Sequence, residues 1–301
     1  MTTKNWIKFF LLSIFWGSNF LWIRIIVTDI GPFILVFFRV LFAFLTILIY
    51  IIISKTKIIL TWRKLGISVV LGFFNVTLPF LSTSWAEQFI SSGLAGMISS
   101  TYPLFALLFA AIILPQERLS WFRAVGLLIG FCGAVILTSI GFTKVNSTNI
   151  LQGVIVMFIA PISYSIAIIF AKITTGIMDI IEQSLGQIFF ALITVSLSTI
   201  LFESHLRLPS QLSIWMGLLL LGVFYTGVGT ILYFSLLNSA GITITSLIAY
   251  ISPVIAVILG ILILSEAFTW QLIVGGFLVI IGLIWVNSSG LNKKFIPKDV
   301  E

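Results

Sequence analysis

Long apolar runs alternate with short polar breaks along the whole chain, and the runs share a common length. A helix needs roughly 20 mostly apolar residues to cross a bilayer. Ten stretches fit that length: residues 7–27, 33–53, 65–86, 93–114 and 121–140, then 150–171, 183–202, 212–236, 242–264 and 270–287. The longest polar interruption in mid-chain is GFTKVNSTN at residues 141–149, with five runs on either side. The pattern predicts an all-α membrane protein of ten transmembrane helices. It divides the chain into residues 1–140, a linker at 141–149, residues 150–290 and a tail at 291–301.

Composition agrees: 60% of the residues are hydrophobic and only 8% charged, where a soluble domain carries about a quarter charged residues. The formal charge of +7 matters through where the cations fall. If the N-terminus is cytoplasmic, that side holds Lys4, Lys8, Lys55, Lys57, Arg63, Lys64, Arg118, Arg123, Lys172, Lys293, Lys294 and Lys298. The other side holds Arg24, Lys144 and Arg207, and Arg39 lies within a run. Cytoplasmic loops carry the excess of Lys and Arg, so both termini are expected inside. The basic balance then reads as topology and as contact with anionic lipid headgroups, not as nucleic-acid binding.

Other classes find little support. Lys4, Lys8 and the first apolar run have the opening of a signal peptide, but Trp16, Asn19 and Trp22 follow without a small-residue cleavage site. A retained first helix is expected. Cys132 is the only cysteine, which excludes an internal disulfide framework and a multi-thiolate metal site. It reads as a packing residue. His205, the only histidine, falls in a loop and supports no metal site. His-Glu-x-x-His and Gly-x4-Gly-Lys-Ser/Thr are both absent, so neither a zinc protease nor a P-loop ATPase is indicated. The Gly66-Ile67-Ser68 triplet matches the nucleophile turn of an intramembrane serine protease, with no histidine in any apolar run to activate it. The expectation is no enzyme and no cofactor.

The two halves repeat one another. Glu117, Trp121, Gly126 and Gly133 have the spacing of Glu266, Trp270, Gly275 and Gly282, and Pro103 matches Pro253 with one extra residue before the first Glu. LGFFN at residues 71–75 matches LGVFY at 221–225, Arg39 falls opposite Gln187, and Trp16 and Arg24 fall opposite Tyr164 and Lys172. A duplicated unit of five helices is odd, so its second copy enters the membrane inverted. Inverted repeats are common in secondary transporters, where substrate binds near the midplane between the repeats.

FWGSNFLWIR (residues 15–24), the Arg39 segment, SSGLAGMISSTYPLFALLFAAIILPQERLSW (91–121) and its second-half copy resemble the EamA-type domains of the drug/metabolite transporter superfamily. The resemblance runs from about residue 8 to 288 and lies in the order, spacing and duplication of the motifs. It implies ten helices in two inverted repeats, alternating access, and a central cavity lined mainly by helices 1, 3, 4, 6, 8 and 9. It also implies export of amino acids or other small metabolites from the bacterial cytoplasmic membrane. The second copy departs from the first by reading SEAF where the first has QERL.

Candidate substrate residues follow from the polar side chains inside the runs. An Arg at a helix centre costs about 2.5 to 3.5 kcal/mol on insertion scales. Arg39 is therefore either an anchor for a substrate carboxylate or a residue that snorkels or pins its helix to backbone carbonyls. Gln187, its repeat equivalent, shares the position without the charge. Trp16, Asn19, Asn75, Tyr102, Tyr164, Tyr225 and Tyr250 either bond and stack on a small-molecule substrate or bond neighbouring helices. Glu87 is either an exposed loop carboxylate or the acid that carries a coupling proton, its pKa raised by burial. Pro103, Pro253, Gly227 and Gly229 are candidate gating bends, while Gly126, Gly130 and Gly133 read as a packing face. Asn146-Ser147-Thr148 matches a glycosylation sequon. A passive facilitator or channel and a flippase-like carrier of a lipid-linked group remain alternatives, and oligomeric state is open.

Overall fold

The computed structural model describes residues 2–59, 61–113, 120–139, 147–203 and 208–292. Among these the chain is all helical, with no strand. Seven helices are long and apolar enough to cross a membrane, and Trp121–Leu137, Ile248–Leu264 and Trp270–Val286 are shorter apolar helices. Glu117, Asn146 and His205 lie outside the described residues.

The chain folds in order as α1 (Thr3–Ile30), α2 (Pro32–Ser54), α3 (Trp62–Leu71), a π-helical segment π1 (Gly72–Thr77) and α4 (Leu78–Ala86). Then come α5 (Ser92–Ser99), α6 (Tyr102–Ile113), α7 (Trp121–Thr138), α8 (Ser147–Met157), α9 (Ile159–Ile173) and α10 (Ile180–Phe202). α11 (Leu212–Leu219), a second π-helical segment π2 (Leu220–Val228), α12 (Gly229–Ser246), α13 (Ile248–Leu264) and α14 (Trp270–Asn292) complete it. Hydroxyl side chains start several helices: Thr61, Ser91 and Ser120 accept the amides of Lys64, Leu94 and Arg123 at 3.3, 3.3 and 3.4 Å, satisfying donors that a first turn leaves free. α1 and α2 meet at Gly31, whose φ of +80° suits a residue without Cβ, and Pro32 begins α2 where its missing N–H costs nothing.

Glycines let the two halves touch backbone to backbone. A Cβ at Gly72 in π1 would stand 2.7 Å from the Gln187 carbonyl oxygen on α10, and one at Gly222 in π2 would stand 2.7 Å from that of Arg39 on α2. These are the same contact made twice, between positions that the sequence places opposite one another. α7 and α14 pack antiparallel by the same means, Gly133 against Gly275 and Gly126 against Gly282, with added Cβ atoms falling 2.6 to 3.1 Å from a facing carbonyl oxygen. Small residues allow this approach, and packing drives association where lipid removes the hydrophobic incentive.

The outside is as apolar as the inside. Leu128 and Val135 are more than half exposed on α7, and Cys132 is exposed on the same stripe. Cys132 is thus not a packing residue; the glycine face of α7 holds the packing, and the cysteine points the other way. Trp62, Trp121 and Trp270, each the first residue of its helix, are 89%, 82% and 61% exposed, the placement of an interfacial aromatic belt.

Gly72→Ala and Gly222→Ala should each lower stability by about 1 to 3 kcal/mol, the usual cost of overpacking, because a carbonyl oxygen cannot retreat as a side chain can. Gly66→Ala meets nothing within 4 Å and should be neutral or slightly stabilising. Thermal unfolding of the purified protein in detergent reads all three.

Candidate functional site

Arg39 is buried, 6% exposed, two turns into α2. Its Nε donates to Thr226 Oγ1 at 3.0 Å and its guanidinium lies 3.8 Å from the centroid of the Phe80 ring on α4. The contact depends on π2. Thr226 returns its own hydroxyl to the Leu221 carbonyl five residues back, at 2.9 Å, and so takes up an acceptor of the wider register. Arg39 therefore pins α2 to π2 through a side-chain hydroxyl, neither snorkelling nor bonding a backbone carbonyl. Among the described residues only Nε is hydrogen-bonded. The two terminal nitrogens are not, and Tyr164 and Glu87 lie within the electrostatic reach of the guanidinium.

Gln187 occupies the equivalent place on α10 and differs in outcome. Its Oε1 accepts from Asn75 Nδ2 in π1 at 2.9 Å, one hydrogen bond between neutral amides across the halves. π1 also repeats the hydroxyl device, with Thr77 Oγ1 donating to the Gly72 carbonyl at 3.1 Å.

α1 lines this centre with aromatic rings. Trp16 donates its indole N–H to the Tyr225 carbonyl at 3.2 Å and its ring tilts against Tyr233, centroids 5.3 Å apart. Tyr225 is fixed by a 2.8 Å hydroxyl bond with Ser18 and by stacking on Phe15 at 5.3 Å. One turn from Trp16, Asn19 Oδ1 is buried without a partner. Tyr102 and Tyr164 meet edge to face at 6.4 Å, Tyr233 and Tyr250 lie within the electrostatic reach of Tyr102, and the Tyr250 hydroxyl donates to the Leu283 carbonyl at 3.1 Å. The structure brings Trp16, Tyr225 and Tyr233 together, groups Tyr102 with Tyr164, and joins Asn75 to Gln187.

Glu87 ends α4 and is wholly buried, with both carboxylate oxygens lacking a hydrogen-bond partner. The reading of an exposed loop carboxylate is overturned: α4 carries the residue inward past its last turn. Burial pushes the carboxyl well above the usual carboxylate range, the nearby Glu266 pushes the same way, and Arg24 and Arg39 oppose. Arg24 donates to the backbone carbonyl of Glu87, not to its carboxylate.

Glu266, between α13 and α14, holds the start of α5. Its carboxylate accepts the amides of Ser92 at 2.6 Å and Gly93 at 3.1 Å, free N–H groups at the positive end of a helix. Gly260 makes room, since a Cβ there would fall 2.2 Å from Glu266 Oε2.

Pro103 is the second residue of α6, and the Ser92–Ile113 span is interrupted at Ser100 and Thr101 just before it, where its ring is tolerated. Pro253 lies inside α13. Gly227 is within π2 and Gly229 begins α12. Sequence reasoning missed Thr226, Phe80 and both π segments; the two Leu-Gly-x-Phe motifs mark where those segments begin, but nothing in them reports the wider register.

A chain of long apolar helices with a guanidinium, a carboxyl and tyrosines turned inward is a multi-pass membrane protein. The chain belongs to the EamA-like transporter family, which matches residues 4–139 and again 151–288. An uncharacterized transporter of Archaeoglobus fulgidus is 26% identical over 280 residues, 93% of this chain and 97% of that one. The uncharacterized inner membrane transporter YedA of Escherichia coli is 27% identical over 253 residues, covering 83% and 80%. A solved crystal structure superposes with a TM-score of 0.68 at 17% identity, covering 99% of this chain and 100% of that one, and so shares the fold.

Glu266→Ala should free the α5 amides and lower stability by about 1 to 3 kcal/mol, the range for groups left unpaired. Glu266→Gln, which keeps one acceptor oxygen, should lose less. Unfolding midpoints in detergent at fixed pH measure the difference.

Proposed function

We propose that the protein is a secondary transporter that exports a small amphipathic metabolite, an amino acid or a related carboxylate, by alternating access. The observation that carries this reading is Arg39. A buried guanidinium two turns into an apolar helix, with its terminal nitrogens unbonded among the described residues, offers a planar fork of donors suited to a carboxylate. Trp16, Asn19, Tyr102, Tyr164 and Tyr250 surround the path with rings and polar tips. Asn75, Gln187 and Tyr225 hold its walls.

The architecture in this reading is ten spans in two inverted repeats, residues 1–140 and 150–290. The reciprocal contacts of Gly72 with Gln187 and of Gly222 with Arg39 support it, as does the double family match. Pairings of helix ends also agree. Asn5 and Lys8 on α1 bond Ser239 and Ser235 on α12, and Lys64 at the start of α3 pairs with Glu182 at the start of α10 at 2.6 Å. At the opposite face, Arg24 meets Glu87 and Glu266 meets α5. The excess of Lys and Arg puts both termini in the cytoplasm of a bacterial inner membrane. Glu87 carries the coupling proton, and the breaks at Ser100–Thr101, Pro253, Gly227 and Gly229 bend as the site changes sides.

Proteoliposomes test the function. Preloaded amino acids should exchange for labelled ones, and an imposed proton gradient should drive accumulation against the solute gradient. Equilibration that no gradient can bias marks a passive facilitator instead. Topology is checked in a Cys132→Ser background: Ser120→Cys should label only from the cytoplasm and Thr269→Cys only from outside. Labelling of both from one face defeats the inverted arrangement.

A further inference from the structure

α4 carries a polar stripe that ends in a carboxylate with nothing to bond. Phe80, Ser84 and Glu87 stand at i, i+4 and i+7, on one face of the helix, and span roughly 10 Å along its axis at 1.5 Å per residue. At one end Arg39 lies over the Phe80 ring and commits only Nε to a protein acceptor. In the middle the Ser84 hydroxyl is fully buried without a partner. At the far end both oxygens of Glu87 are in the same condition.

The neighbouring charges do not complete the stripe. Arg39 and Glu87 feel each other's field, yet the one ion pair among the described residues is Lys64 with Glu182. Arg24 is turned to the Glu87 backbone carbonyl, and Glu266 is held by the amides of α5. α8 has no ionisable side chain, and the one charged residue of α9 is Lys172 in its last turn. Buried polar groups are expected to be bonded. Here a hydroxyl and a carboxylate are left unbonded on one face of α4, with the Arg39 fork of α2 over the ring at the start of that face.

We infer that this stripe is a zwitterion site: Glu87 receives the ammonium group of the substrate, Arg39 its carboxylate, and Ser84 bonds between them. The inference rests on the transporter reading above and narrows its substrate to an α-amino acid. Each end explains the other. An organic acid would match Arg39 and leave the Glu87 oxygens unbonded, and an amine would bond Glu87 and leave the Arg39 fork without an acceptor. Only a ligand with both charges satisfies both buried groups while adding no net charge to an apolar interior.

The test is counterflow in proteoliposomes holding the full chain and preloaded with the protein amino acids. Entry of a labelled trace of that mixture is read with deaminated analogues (4-methylpentanoate, 3-phenylpropionate) and decarboxylated analogues (isoamylamine, phenylethylamine) as competitors. The wild type should prefer leucine and phenylalanine over their analogues by about tenfold or more, the worth of one hydrogen bond to a charged group. Glu87→Gln should lose the preference over the deaminated acids, and Arg39→Gln the preference over the amines. Ser84→Ala, which deletes a hydroxyl that bonds nothing in the protein, should weaken apparent affinity severalfold with an unchanged melting temperature. It keeps the test open if either charge variant fails to fold. Glu87→Gln with wild-type affinity and preference overturns the inference; if that variant loses only proton-driven accumulation, Glu87 is a proton carrier alone and the transporter reading stands. Exchange of acids or amines but of no amino acid overturns the inference while leaving a carrier. Exchange of no solute overturns both.

Discussion

Hydrocarbon offers no partner to a polar group, so every such group in a membrane-spanning chain must find one inside the protein or face a wet path. Arg39 shows how much structure that one demand organises. The guanidinium reaches Thr226 because Gly222 lets the backbone of α2 come against π2. The hydroxyl is available there because the π register gives it the Leu221 carbonyl as its own acceptor. The same segment presents the Tyr225 carbonyl to the indole of Trp16, and Phe80 closes the exposed face of the guanidinium from α4. α2, π2 and α4 meet at one charge, and α1 joins them through π2. Any shift of π2 back to an ordinary α register would change all of these contacts together.

The second half contains the same scaffold without the charge, and the difference is informative. Gln187 and Asn75 are neutral amides joined by one hydrogen bond of 2.9 Å, so no charge stands at that position. Arg39 has more donors than π2 accepts. The side chains above the two glycine contacts thus differ, a charge at Arg39 and a neutral amide at Gln187, though the contacts themselves match closely. Symmetry lies in the backbone and asymmetry in the side chains.

Much of this was legible in the sequence because membrane physics writes simple signals. The apolar runs, the opposition of Arg39 to Gln187 and the glycine face of α7 need only length, spacing and residue size to be read; seven helices among the described residues are long and apolar enough to span, while the run at 242–264 divides between α12 and α13. Glu87 was harder. A single acid at the end of a run has the same sequence context whether it turns inward or into a loop, and only the packing of α4 decides. Pro103 is ambiguous for a related reason: a proline inside a long apolar run marks a kink or a new helix start equally well. The π segments were invisible, because the wider register arises from an approach between distant helices and not from any local preference of Gly-x-Phe.

The contacts that join the halves at the two ends of the bundle are few and polar. At one end Glu266 takes two amides of α5, and at the other Lys8 and Asn5 meet hydroxyls of α12. Along the glycine faces, by contrast, backbones touch over several turns and nothing can slide without a clash. Net hydrogen-bond energies are about 1 kcal/mol, rising to about 3 with a charged partner, small enough for a bound solute to offset. A ligand shifts such a balance only by its differential affinity for the two arrangements. In the proposed transport cycle the groups best suited to supply that difference are the Arg39 fork and the Glu87 carboxylate, since a solute that bonds both adds contacts the empty protein cannot make for itself. In that cycle the glycine seams would hold parts together as bodies, and the sparse polar ends would be where they part.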